Sequence, residues 1–126
     1  MQYALLLGRL LFTTIFILSG IFHFFPSVIQ YAADDGVPYA NLIVPISGII
    51  AAIGGLSILL GYKARWGAWL IVIFLIPVTL HMHDFWTFTD PVDVATQQAM
   101  FLKNMSMLGA ALIIAFFGSG PLSLKK

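Results

Sequence analysis

The feature that most constrains this chain is a set of four long, nearly uncharged apolar runs, at residues 3–25, 40–60, 64–82 and 99–117. Each run can cross the bilayer as an α-helix, because about 30 Å of hydrocarbon takes roughly 20 helical residues. Hydrophobic residues make up 60% of the 126 residues and charged residues only 9%, which is too much apolar surface for a small water-soluble domain to bury. The sequence therefore predicts an all-α membrane protein, with residues 1–126 forming a single four-transmembrane-helix bundle.

The distribution of charges predicts how the bundle lies in the membrane. Cations cluster on one side of the apolar runs, and all five acids lie on the other side with a single lysine. The cationic side holds Arg9, Lys63, Arg65, Lys125 and Lys126; the acidic side holds Asp34, Asp35, Asp84, Asp90, Asp93 and Lys103. The positive-inside rule then predicts cytoplasmic N and C termini in a multi-pass protein of the bacterial cytoplasmic (inner) membrane. The first run carries Arg9 and lacks a basic segment before it, so we interpret it as a retained helix rather than a signal peptide.

Composition also excludes several classes of function. Cysteine is absent, which excludes disulfide exchange, thiolate catalysis and iron–sulfur ligation by this chain. The net charge of +1 comes without a basic cluster, so we expect no nucleic-acid partner.

Small residues predict close helix packing. The second run contains Ser47, Gly48, Ala51, Ala52, Gly54 and Gly55, and the fourth contains Gly109, Ala110 and Ala111. In lipid such residues let helix backbones approach one another. They favour contacts within the bundle and are also compatible with a homo-oligomer.

Polar residues gather at the predicted outer face, and they are the candidate ligand-binding residues. The stretch LHMHDFW (80–86) follows the third run, and the full set is His23, His81, His83, Trp86, Lys103 and Asn104. One interpretation is a binding rim for a quinone-like or other small apolar ligand. The other is a structural set of interfacial histidines and a tryptophan of the aromatic belt.

Two charges at this face have unfavourable positions. With the fourth helix starting near residue 99, Lys103 would lie close to a helix N-terminus, and Asp84 lies just past a helix C-terminus; both are opposed by the helix dipole. We therefore predict that Lys103 is neutralised by Asp84, or else by Asp34 or Asp35. Arg9 has two interpretations, snorkelling to lipid headgroups or a structural role inside the bundle.

The histidines do not predict a metal site. On a helix His81 and His83 point about 200° apart, and the chain has only three histidines and no CxxCH or HExxH motif. A bis-histidine haem would need His23 to face His81 or His83 across the bundle. No cofactor is predicted, with quinone and haem kept as alternatives.

The ordered segments GRLLFTTIFILSGIFHF (8–24), GVPYANLIVPISGIIAAIGGLSILLGYKARWGAWL (36–70), HMHDFW (81–86) and FLKNMSMLGAALIIAFFGSGPLSL (101–124) together resemble the DoxX family of small four-helix bacterial membrane proteins. The resemblance implies an accessory subunit, without catalytic activity of its own, tied to respiratory or redox-stress complexes whose redox chemistry belongs largely to partner proteins. Two positions depart from the family pattern. His23 stands where many relatives have lysine, and Ala51 where many have a buried glutamate, so a proton relay through the second helix is not expected.

Three hypotheses for function follow. The first is an accessory integral membrane subunit with membrane or redox protein partners, holding a quinone-like or small apolar ligand near the outer face. The second is a quinone- or haem-binding oxidoreductase subunit in which His23, His81 and His83 do the work. The third is an oligomeric carrier of a small solute.

Overall fold

The computed structural model describes residues 1–124, and its regular structure is helical. The helices are α1 (Gln2–Phe22), α2 (Pro26–Asp34), α3 (Ala40–Leu60), α4 (Ala64–Met82) and α5 (Pro91–Phe117), with one 3₁₀ turn at Phe85–Thr87 between α4 and α5. Within the described residues, α1, α3, α4 and α5 are long and apolar enough to cross a membrane. The predicted all-α, four-transmembrane-helix bundle is confirmed, and the orientation of its termini stays a prediction.

The spanning helices pack in the order α1, α3, α4, α5, each against the next. One core joins all four of them through Phe16, Ile58, Ile71 and Ala111. The chain reverses direction between successive spanning helices. As a result, the acids lie at one end of the bundle and most of the cations at the other. We call the end with Lys63 and Arg65 the basic end, and the end with Asp34, Asp84 and Asp90 the acidic end.

The small residues of α3 are contact points, as predicted. A Cβ added at Gly48 would lie 2.6 Å from Cβ of His23 at the end of α1, and one added at Gly54 would lie 2.8 Å from the carbonyl oxygen of Gly67 in α4. Real carbon atoms do not approach so closely, so these glycines set the spacing of three helices. The expectation for Gly109 is wrong, since a Cβ there would meet nothing within 4 Å, although the nearby Ala111 is fully buried.

The connection between the first two apolar runs contains a short helix that the hydropathy pattern does not indicate. The nine-residue helix α2 begins at Pro26, where a proline is favoured because the first helical N–H needs no partner. Its buried Ala32 packs with Ala40 and Val44 of α3. The first spanning helix accordingly ends at Phe22 rather than at residue 25, and α2 covers the acidic end.

The last spanning helix begins at Pro91, well before the expected residue 99. Asp90 is its N-cap, and its carboxylate accepts hydrogen bonds from the backbone N–H of Val92 (2.9 Å) and Asp93 (3.3 Å). An N-cap aspartate followed by proline is a favourable start for a helix. The resulting 27 residues extend about 40 Å, so the first turns of α5 exceed the thickness of the hydrocarbon.

Candidate ligand groove at the acidic end

A groove of about 450 Å³ opens at the acidic end among α1, α2, α3 and α4. Its walls are almost wholly apolar, and the polar side chains that line it include His23, Tyr31, Ser47 and His81. This volume lies within the ~300–1,000 Å³ of most small-molecule sites, which combine apolar walls with a few polar groups. The groove therefore has the size and the composition of a binding site for a small apolar ligand.

His23 is fixed at one wall of this groove. It follows α1 directly, and its Nδ1 lies within hydrogen-bond distance of the backbone carbonyl oxygen of Ser19. Its ring meets the edge of Phe74, with centroids 5.9 Å apart. Burial lowers the pKa of His23, and the hydrogen bond to Ser19 opposes this shift in part. His23 is therefore a neutral, oriented imidazole at neutral pH.

The hydrogen bond also determines which ring nitrogen of His23 carries the proton. A carbonyl oxygen can only accept, so Nδ1 must donate to Ser19. In the neutral ring Nε2 is then the acceptor. His23 can accordingly accept a hydrogen bond from a ligand hydroxyl.

One face of α4 forms the adjoining wall. Phe74, Pro77, Val78 and His81 all line the groove, and their spacings of three, one and three residues put them on one side of a helix. His81 lies in the last turn of α4 and is exposed. The structure thus brings His23 and His81 to the same groove.

His83 and Trp86 lie outside the groove, against α5. Nδ1 of His83 is 2.9 Å from Oε1 of Gln97. Trp86 belongs to the 3₁₀ turn, and its ring meets the edge of Phe101 with centroids 5.9 Å apart; Phe85 contacts both rings. These contacts fasten the turn to α5, so the six candidate residues do not form one rim.

Lys103 does not form the predicted ion pair with Asp84. Its Nζ lies 3.5 Å from the sulfur of Met100, and among residues 1–124 no ion pair joins it to Asp84, Asp34 or Asp35. The prediction assumed that Lys103 lies near a helix N-terminus. Because α5 begins at Pro91, Lys103 lies about three turns inside the helix, where the dipole effect has faded. Asn104, its neighbour, is buried with 5% of its surface exposed.

Arg9 lies inside the protein at the basic end rather than snorkelling to lipid. Only 5% of its surface is exposed. Its Nη1 donates to Oγ of Ser123 (2.8 Å) and its Nη2 to the carbonyl oxygen of Leu122 (2.7 Å). The guanidinium thus holds the segment that follows α5 against α1, and its buried Nε has no hydrogen-bond partner among residues 1–124.

Within residues 1–124 no group of three or more histidine, cysteine or acidic side chains could hold a metal ion. Two of the three histidines, His23 and His81, line the same groove.

Sequence reasoning missed several residues that build this end of the molecule. Val28, Tyr31 and Ala32 of α2 line the groove, and Gln97 holds His83. For α2 a signal was present in the sequence, namely Pro26 followed by apolar residues at helical spacing. For Gln97 there was none, because the expected fourth helix did not include it.

Four spanning helices with a lateral groove define the class of this chain as a multi-pass α-helical membrane protein. The sequence profile of the DoxX family matches residues 4–84, and the chain belongs to the DoxX family. It is 30% identical over 124 residues to inner membrane protein YphA of Escherichia coli (strain K12), an alignment covering 97% of this chain and 88% of that protein. No solved structure matches the chain. The chain is accordingly an integral inner membrane protein.

Proposed function

We propose that this protein is an accessory membrane subunit of a respiratory or redox-stress assembly, and that it holds a quinone-like ligand in the groove at the acidic end. The observation that carries the proposal is an apolar groove of about 450 Å³ that two histidines, His23 and His81, line. An aromatic head could lie between the apolar walls while a ring nitrogen contacts its oxygen. An apolar tail could leave through the open side toward lipid.

The protonation state of His23 supports the quinol, the reduced form of a quinone, as the better ligand. With Nδ1 donating to Ser19, the free Nε2 accepts but does not donate. A quinol hydroxyl satisfies this acceptor, whereas a quinone carbonyl offers only a second acceptor. We expect a neutral His23 to favour the quinol.

An accessory role agrees with the residues available. The chain contains no cysteine, and the described part brings together no metal-ligand cluster. Electron transfer through an iron–sulfur or thiol centre must therefore be supplied by another protein. The aromatic cluster of Phe85, Trp86 and Phe101 together with the His83–Gln97 contact forms a separate, partly buried surface at the same end, on which Trp86 is exposed, and we expect it to contact such a partner.

The groove is tested by titrating a decyl benzoquinol into the purified protein and following intrinsic tryptophan fluorescence and thermal stability. We expect binding by the wild type and an about fivefold weaker affinity for His23→Phe, because one hydrogen bond contributes about 1 kcal/mol. His83→Phe is the matched control, since it removes an imidazole at the same end but outside the groove. Equal losses in both variants, or no binding by the wild type, would contradict the proposal.

The partner is tested by purification in a mild detergent from the native host, with mass spectrometry of the proteins that travel with the chain. We expect a respiratory or redox protein whose recovery falls when Trp86 is changed to alanine and is retained in His23→Phe. Recovery of the chain as a pure homo-oligomer would contradict the accessory role.

A haem-binding oxidoreductase subunit is the second candidate, favoured by His23 and His81 lying at one groove. A visible spectrum separates it from the first. A sharp band on reduction, lost in both His23→Phe and His81→Phe, would support haem ligation in place of the quinol. A protein without visible absorption would exclude the haem candidate.

A further inference from the structure

A second cavity, of about 490 Å³, lies at the basic end between the start of α4 and the segment after α5. Unlike the first groove it has substantial polar surface. Its walls include Lys63, Arg65, Trp66, Phe117, Gly118 and Ser119. It lies at the opposite end of the bundle from the candidate ligand groove.

Two cations flank this cavity. Arg65 reaches toward the chain after α5, where a Cβ added at Gly118 would lie 3.5 Å from its Nε. Gly118 has a φ of +83°, a conformation that glycine adopts readily and other residues rarely. Lys63 also lines the cavity, with its Nζ 5.7 Å from the centre of the Tyr62 ring. The backbone geometry thus holds one guanidinium at the wall and one ammonium beside it.

A third, buried cation lies close behind the wall. Oγ of Ser123 has one hydrogen, which it donates to the carbonyl oxygen of Gly120 (2.6 Å). It therefore accepts from Nη1 of Arg9 (2.8 Å) and from the hydroxyl of Ser119 (2.6 Å). This relay connects Arg9 to Ser119 in the cavity wall. Because the hydrogen of Ser119 is already donated, direct contacts to an anion fall to Arg65 and Lys63.

Among residues 1–124, no carboxylate side chain lies at the basic end. All five acidic side chains lie at the acidic end: two at the end of α2, one just after α4, and two at the start of α5. Within the described residues Arg9, Lys63 and Arg65 thus have no acidic side chain at their own end of the bundle, which favours binding of an external anion there. The weakly screened guanidinium of Arg9 strengthens the positive potential there.

The aromatic walls indicate the source of that anion. Trp66 and Phe117 are 73% and 72% exposed, and they lie at the ends of two spanning helices, at the depth where aromatic side chains meet lipid headgroups. We propose that this cavity binds the phosphate of an anionic phospholipid headgroup between Arg65 and Lys63, with the acyl chains along Trp66 and Phe117. A free phosphate shares the charge but not the contact with the aromatic walls.

The test compares thermal stability of the full-length protein in nanodiscs made of phosphatidylcholine alone or with added phosphatidylglycerol, and, in detergent, with inorganic phosphate. We expect stabilisation by phosphatidylglycerol and none by inorganic phosphate at the same concentration. Arg65→Gln should weaken the apparent affinity for phosphatidylglycerol about fivefold. The double variant Lys63→Gln/Arg65→Gln should weaken it about thirtyfold, since each cation near an anionic headgroup contributes a similar factor. Lys103→Gln is the matched control, with the same charge change at the acidic end, and should behave as the wild type.

Arg65→Lys keeps the positive charge and should retain most of the stabilisation by phosphatidylglycerol. It thereby distinguishes the loss of a lipid contact from a general loss of folding. Equal stabilisation in phosphatidylcholine, or equal losses in Lys103→Gln and Arg65→Gln, would overturn the proposal. Saturation by inorganic phosphate alone would assign the cavity to a free anion and overturn the lipid assignment.

Discussion

Replacing Gly48 with alanine tests how α1 and α3 are spaced. The added Cβ would lie 2.6 Å from Cβ of His23 and 3.2 Å from the carbonyl oxygen of Ser19. Carbon atoms in contact are about 3.5–4.0 Å apart, so the two helices must separate locally by about 1 Å. The atoms it meets on α1 include backbone and the root of a side chain, which do not move aside as a flexible side-chain end would.

We expect Gly48→Ala to lower the free energy of unfolding by about 1–3 kcal/mol, the usual cost of overpacking. The assay is reversible unfolding in mixed detergent micelles, followed by circular dichroism. Gly109→Ala is the control, because a Cβ there meets nothing within 4 Å. That variant should be unchanged or more stable, by up to about 1 kcal/mol, since alanine is the better helix former.

Displacement of His23 should also weaken quinol binding in Gly48→Ala. A Gly48→Ala protein as stable as the wild type, or destabilised no more than Gly109→Ala, would refute the inferred packing of α1 against α3.

Three further changes test other parts of the structure. Arg9→Met should speed amide exchange in residues 118–124 by tenfold or more, because each lost hydrogen bond from a charged donor contributes about 1.5–3 kcal/mol; unchanged exchange would show that Arg9 does not hold this segment. Asp90→Ala should destabilise the protein by about 1 kcal/mol in the same unfolding assay through loss of the N-cap, whereas Asp93→Ala, without a capping contact, should have a smaller effect. Acidification below pH 6.5, the ordinary pKa of histidine, should reduce stability, since the unfolded chain then binds a proton that the partly buried His23 takes up only at lower pH. His23→Phe should flatten this dependence of stability on pH.

The spanning helices were largely predictable because lipid imposes a length and a composition on them. The bounds of α3 and α4 agree with the apolar runs at 40–60 and 64–82, and the left-handed φ of +68° at Gly61 explains why a glycine ends α3. The missed helix α2 and the early start of α5 both lie in polar stretches. In such stretches the start of a helix is indicated by proline and capping residues and not by hydropathy.

The candidate site was predictable in its residue types but not in its grouping. The sequence indicated that His81 and His83 diverge, and the structure directs them to different neighbours, the groove and Gln97. The separation of Trp86 and Lys103 from His23 depends on where α5 begins and on which of its faces packs against the bundle. Those are properties of packing between elements distant in sequence, and a single sequence does not specify them.

The most direct test of the central claim, that the groove between α1, α2, α3 and α4 binds a quinone-like ligand, is photolabelling with an azido-benzoquinone followed by peptide mapping. The account predicts labelling within residues 26–38 and 73–82, competed by unlabelled decyl benzoquinol. Labelling confined to residues 83–88 and 97–104, at the aromatic cluster on α5, would contradict it.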